Sequence, residues 1–443
     1  MSSLPSYRRI WSVSWPLIIG LLAENIVGVI DTAFLGHVSD LDLAASAIAG
    51  TFYVIMFVVG MGLGTGTQIL IARRNGEKKY DKIGGIFENS LYLVWVFSVA
   101  VIVISFIFSR NILGFMLNSE EILDAAMRYL DIRVFTLFFA LGCVVMRSFF
   151  VGVQFTRYIS IGAFIVAGTN FILDYLLIFG KFGFPKMGIE GAALASVFAE
   201  VVGFAYFIYI IVKKINLAKY NMFTFKNPQL KVISQTMSLS VFTMLQNLLS
   251  LSSWFLFFVI IEKTGEKNLA ASNIIRSYYI LAICPLWAYG SAVSTLVSNA
   301  IGAKQRRYVF RIIRRVTVLC LITSIIAFIP TLVSARGIMS LYTDNIELVE
   351  IGFKAFYVVG IANILSSVAW TIFSVISATG NTMIALFVET FAIVCYLASV
   401  YYFAIKFHNR VEIIWCSENV YQIVLGVLSI LYLRTNHWTK KEI

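Results

Sequence analysis

Four polar residues stand where long apolar runs should exclude them: Glu24 and Asp31 in one run, Asn170 and Asp174 in another. On a helix, Asn170 lies one turn before Asp174, and Glu24 two turns before Asp31 on the same face. Each aspartate is about five or six residues from the end of its run, so a rise of 1.5 Å per residue puts both at similar depth. The two runs together present a column of oxygens: Glu24, Asp31, Asn170 and Asp174. Charge inside hydrocarbon is costly and marks a candidate functional group. Two carboxylates close together in a low dielectric do not both ionise easily, so the pair can share a proton. Carboxylate and amide oxygens can equally hold a hard cation such as Na⁺. The competing reading is a structural pair, bonded to a neighbouring arginine or hydroxyl.

Other charges in apolar runs are Asp131, Arg133, Arg147, Glu200, Arg276, Glu389 and Glu418. Lone groups of this kind are expected to pair with each other or to reach for the interface. The second half offers no acid between Gln235 and Glu262, nor between Ile351 and Val388. Its polar and aromatic residues, Gln246, Ser250, Trp254 and Tyr289, are candidates for a substrate cavity, the rings by cation–π contact. A coupling site is therefore expected in the first half.

No Walker A, GxSxG or HExxH pattern occurs, which speaks against ATP-driven or hydrolytic chemistry and against an enzyme. Five cysteines all fall in apolar runs without paired spacing, and three histidines (His37, His408, His437) are scattered. No disulfide framework, metal centre or resident cofactor is indicated; the small ion to be bound is H⁺ or Na⁺, the latter at Asp31, Asn170 and Asp174.

The elements that must carry these residues follow from composition. Of 443 residues, 59% are hydrophobic and 13% charged, whereas soluble domains run near 25% charged. This excludes a soluble enzyme or a disordered chain and leaves a polytopic membrane protein. Runs long enough to span a bilayer lie at 13–36, 43–72, 86–108, 124–150, 157–180, 190–212, 232–261, 267–301, 309–330, 348–377, 383–406 and 411–433. Strand-like alternation is absent, so the expected fold is all-α with twelve transmembrane helices.

The net charge of +12 is not one patch, as a nucleic-acid surface would require. Bases cluster in alternate loops: Arg73 to Lys82, Lys213 to Lys231, and Lys304 to Arg315. The intervening loops carry almost none. By the positive-inside rule, the basic loops and both termini are cytoplasmic. Arg8 and Arg9 precede the first run with no small-residue cleavage site after it, which indicates a retained first span.

Three landmarks recur at one offset of about 226 residues: Ser12 as Ser238, Gly76 as Gly302, and Thr156 as Thr382. Six spans per copy is an even number, so the copies share one orientation. The expected architecture is two pseudo-symmetric six-helix lobes, 1–212 and 232–443, joined by a basic linker, 213–231.

Asp31-Thr32 with Gly36, Gln68 through Ala72-Arg73-Arg74-Asn75-Gly76, Asn170-x-x-x-Asp174 with Ile178-Phe179-Gly180, and Gly188 through Ser196 together resemble the multidrug and toxic compound extrusion (MATE) transporters. The resemblance spans about residues 6–433 and is closest to the DinF-like prokaryotic branch. It implies two six-helix lobes in a V shape and antiport of drugs against H⁺ or Na⁺. It also implies that Asp31, Asp174 and Asn170 form the coupling site, with Tyr129 and Ser196 in support and Pro16 where the first span bends. The expected cargo is a small organic cation or amphipathic drug, and the expected setting the prokaryotic inner membrane, with the protein acting as a monomer and without nucleic acid. Gln154-Phe155-Thr156-Arg157 and Tyr175 depart from the family pattern. The alternative is a lipid-linked precursor flippase of the same superfamily shape, which calls for a cationic cavity. A non-transporting receptor or scaffold fits the repeat poorly.

Overall fold

The computed structural model describes residues 4–225, 227–407, 410–435 and 437–440. Lys226 of the basic linker and His408 lie outside the described residues. Fourteen α-helices and three short 3₁₀ turns make up the described elements, with no strand among the described residues.

The first half contains α1 (Tyr7–Gly36), α2 (Asp40–Gly76), α3 (Ile83–Met116), α4 (Glu120–Arg133), α5 (Thr136–Gly152), α6 (Arg157–Phe179) and α7 (Gly188–Lys214). A short α8 (Leu217–Tyr220) follows in the linker. The second half contains α9 (Leu230–Glu262), α10 (Glu266–Gly302), α11 (Val309–Ser340), α12 (Ile346–Ala378), α13 (Thr382–Lys406) and α14 (Val411–Arg434). Eleven of these are long and apolar enough to cross a membrane, and α4 with α5, bent by 45° at their junction, make a twelfth. Each run marked in the sequence is thus helical, the one at 124–150 as the bent pair α4–α5, and the fold is the expected twelve-span one.

Local signals account for several helix ends. α2 starts at Ser39, whose hydroxyl accepts from the Asp42 amide at 3.0 Å. Asp40 and Asp42 lie in its first turn and Arg73 and Arg74 in its last, each complementing the helix dipole. α6 ends at Gly180, whose φ of +66° is the left-handed cap that glycine allows. Two helices outrun their apolar cores. α3 continues past 108 to Met116, with Arg110 held by Asp124 of α4 at 2.8 Å. α11 continues past Pro330 to Ser340 across a kink, with Ser334 out of helical conformation (φ −160°, ψ 81°).

By contact, the chain forms two compact units, Ile19–Met244 on the one hand and Met1–Ile18 with Leu245–Ile443 on the other. These limits differ from the division at 212 and 232 expected from sequence. The start of α9 belongs to the first-half unit because small residues seat it there. A Cβ at Gly62 of α2 would lie 2.6 Å from the Met244 amide, and one at Gly66 would lie 2.2 Å from Ser240 Oγ. Gly60 and Gly64, on another face of α2, admit Leu141 and Val144 of α5 in the same way. The linker is not free either: the Thr224 amide donates to Glu88 Oε1 and the Gln229 amide to Asn89 Oδ1, both at 2.8 Å. At the other end, Arg315 of α11 donates to the Pro5 carbonyl at 2.6 Å and covers the Tyr7 ring, holding the chain start in the second-half unit.

Candidate functional site

In the unit of Ile19–Met244, α1 brings Asp31 to α6, which carries Asn170 and Asp174. Asn170 and Asp174 are 1% and 0% exposed. The Asn170 amide nitrogen faces both carboxylates, since its oxygen there would meet only acceptors. It donates to Asp31 Oδ1 at 2.9 Å and to Asp174 Oδ2 at 3.1 Å. The other end of the amide lies 3.3 Å from Ser196 Oγ on α7. Gly191 makes that reach possible, because α7 approaches α6 so closely that a Cβ there would sit 2.8 Å from the Leu177 backbone. Asp174 Oδ1 is buried without a hydrogen-bond partner among the described residues.

Tyr129 and Arg133 come from α4, one turn apart. Tyr129 is buried, Arg133 stacks over the Tyr53 ring at 4.8 Å, and both are within electrostatic reach of Asp31. The structure thus gathers Asp31, Asn170, Asp174, Ser196 and Tyr129 around one point.

Glu24 is not among them, which corrects the oxygen column read from the sequence. Its carboxylate forms an ion pair with Arg147 of α5. Glu200 of α7 and Cys143 border the same small cavity, so two acids flank one base. Helical periodicity gave Glu24 the right face of α1 but could not show that Arg147 reaches it from α5. Arg147 is accordingly not an isolated cation.

The second-half unit gives the cavity candidates side-chain partners. Gln246 and Ser250 of α9 turn to Glu389 of α13: Gln246 Nε2 donates to its Oε2, and Ser250 Oγ to its Oε1. Trp254 stacks on Tyr279 with ring centroids 5.8 Å apart. Tyr289 is fully buried, with its hydroxyl 3.1 Å from Thr323 Oγ1, and serves the core rather than a cavity wall. Glu418 accepts from the Tyr279 hydroxyl at 3.3 Å. Glu389 and Glu418 are the acids that the sequence reading left as lone charges; each sits on its own helix far in sequence from its partners, and no local pattern announces them.

The internal repeat shows what became of the first-half cluster in the second copy. At the same offset, Asp31, Asn170 and Asp174 correspond to Phe257, Tyr396 and Val400. All three are buried members of one apolar core, and the Phe257 and Tyr396 rings stack at 5.9 Å. The repeat therefore carries this polar cluster in one copy alone.

Twelve apolar helices in two repeated halves, with a carboxylate cluster buried in one, define a polytopic membrane transporter rather than an enzyme. The family model MatE matches residues 16–176 and again 243–402, with each end of the second match displaced by close to the repeat offset. The chain belongs to the MatE family. A protein of Thermotoga maritima named "Probable multidrug resistance protein NorM" is 23% identical over 431 residues, covering 95% of this chain and 92% of the relative. "Multidrug resistance protein NorM" of Vibrio cholerae is 25% identical over 293 residues, covering 66% of this chain and 64% of the relative. Among solved structures, the bent form of the Vibrio cholerae MATE transporter VcmN superposes with a TM-score of 0.88 at 19% identity, covering 98% of both chains. An outward-facing multidrug resistance MATE family transporter of the MOP superfamily gives 0.90 at 17% identity, covering 98% of this chain and 97% of that one. These likenesses establish the fold.

Proposed function

We propose that this chain is a proton-driven antiporter of the prokaryotic inner membrane that exports cationic or amphipathic organic compounds, with Asp31 and Asp174 carrying the proton. The observation that carries this reading is the pair of carboxylates bridged by Asn170, whose amide donates to both in the orientation that satisfies its hydrogen bonds. A proton needs only a carboxylate oxygen to accept it. The unpartnered Asp174 Oδ1 provides one. The names of the bacterial relatives support multidrug compounds as the cargo. The lack of acids between Gln235 and Glu262 and between Ile351 and Val388 supports the DinF-like placement, and the basic alternate loops support cytoplasmic termini.

Proton binding would remove a negative charge from the α1–α6 seam and weaken the hydrogen bonds from Asn170. α1 is suited to transmit the change. Pro16 lies inside it, two residues before the point at which the helix passes from one compact unit to the other. Proline leaves the backbone one intrahelical hydrogen bond short there. Exchange further requires that proton and cargo prefer different conformational states. The flippase reading finds no support at Arg147, whose charge is paired with Glu24.

The test is efflux of a fluorescent organic cation from vesicles containing the purified protein, with pH and Na⁺ gradients imposed separately. Wild type is expected to respond to the pH gradient and Asp31→Asn to neither. Normal efflux by Asp31→Asn would falsify the assignment.

A further inference from the structure

We infer that Glu389 is a second, reversible proton-binding site, located in the unit of Leu245–Ile443 and built around a hydroxyl switch at Ser250. Glu389 is 3% exposed and sits on α13, in the interior of a membrane-spanning bundle. Its Oε1 accepts from Ser250 and, at 3.4 Å, from the Tyr421 hydroxyl of α14; its Oε2 accepts from Gln246. All three donors are neutral.

The elements packed against it supply no base. α9 has no charged residue between Lys231 and Glu262, and α12 has none after Lys354. On α14 the titratable neighbours are Tyr421 and Glu418, and on α13 itself Tyr396, whose ring lies 5.9 Å from that of Tyr421. A carboxylate buried for structural reasons alone is normally paired with a cation. One that is permanently protonated has little use for three donors.

Ser250 resolves this. Its hydroxyl reaches both Glu389 Oε1 and, at 3.0 Å, the Gln246 carbonyl one turn back along α9. It has one proton and two acceptors. With Glu389 charged, the hydroxyl points to the carboxylate. With Glu389 protonated, the new O–H donates to Ser250 Oγ, and the serine proton turns to the Gln246 carbonyl. Gln246 Nε2 and Tyr421 keep donating in both states. Neither state leaves a buried group orphaned, and this is the condition for a site that loads and unloads. The proton comes from and returns to bulk water, and no other bond changes. The repeat shows that the arrangement is not inherited from the other half. The positions corresponding to Gln246 and Glu389 are Gly20 and Ala163, neither with a polar side chain, and a Cβ at Gly20 would lie 3.8 Å from that of Ala163.

The test is infrared difference spectroscopy of the full-length protein in lipid vesicles after a pH step, without any drug. A protonated-carboxyl signal is expected to remain in the Asp31→Asn/Asp174→Asn double variant and to be lost from it when Glu389→Gln is added. In Ser250→Ala, which retains the acid, the signal should persist at a shifted frequency. A signal unchanged by both Glu389→Gln and Ser250→Ala would overturn the inference, as would one lost only with the two aspartates. Because efflux is not the readout, failure of the Asp31 assignment and failure of this one are separable.

Discussion

Phe257 and Tyr396 stack at 5.9 Å in the second copy of the repeat, where the first copy places Asp31 and Asn170. One scaffold therefore carries a polar cluster in one half and an apolar core in the other. The aromatic pair should matter for folding and not for coupling. Phe257→Ala is expected to cost about 3–5 kcal/mol by leaving a cavity. The melting temperature should fall, while folded protein still shows pH-dependent efflux. Loss of pH dependence at full folding would show that the second copy takes part through these residues.

Among the described residues, Asn170 is the side chain that donates to both aspartates, so its removal should separate positioning from proton binding. Hydrogen bonds to charged groups are worth about 1.5–3 kcal/mol each. Asn170→Ala, which takes away two, is expected to slow proton-driven efflux at least about tenfold. Ser196→Ala, which removes one longer neutral contact, should have a much smaller effect. Equal losses in the two variants would mean that Ser196, and not the amide bridge, sets the geometry.

The ion pair of Glu24 and Arg147 should respond unequally to its two possible deletions. Glu24→Gln leaves Arg147 with Glu200 close by, so the charge stays matched and the fold should survive with little loss. Arg147→Met leaves two acids without their base, so it should be the more destabilising of the two. Thermal unfolding in detergent checks the asymmetry. If Glu24→Gln proves the more damaging, Glu200 does not share the arginine.

What the sequence made legible follows the cost of each error. A span that fails to cover its backbone in apolar residues cannot stay in a bilayer, so all twelve runs could be read off and all twelve are helical. Asp31, Asn170 and Asp174 were legible for the same reason: isolated polar groups in such runs stand out. Partnerships across helices were not. Arg147 lies far from Glu24 in sequence, and Ser250 and Gln246 farther still from Glu389, so which groups meet depends on packing alone. The division at 212 and 232 differs from the compact units for a related reason. Glycines at 62 and 66 are small residues in an apolar run, and only three dimensions show that they receive α9.

That seat offers the last test. Gly62 and Gly66 of α2 face Met244 and Ser240, and a side chain at either must displace backbone as well as side-chain atoms. A Cβ at Gly66 would lie 3.1 Å from the Thr236 carbonyl as well as 2.2 Å from Ser240 Oγ. Overpacking of this kind costs about 1–3 kcal/mol. Gly66→Val is therefore expected to lower thermal stability by that amount and to expose 240–244 to cysteine labelling introduced at Ser240. Gly28, which has open space where a Cβ would go, is the control: Gly28→Ala should do neither. If Gly66→Val melts like wild type and leaves Ser240→Cys unlabelled, the start of α9 is not seated on α2, and the division of the chain reverts to the boundaries expected from sequence.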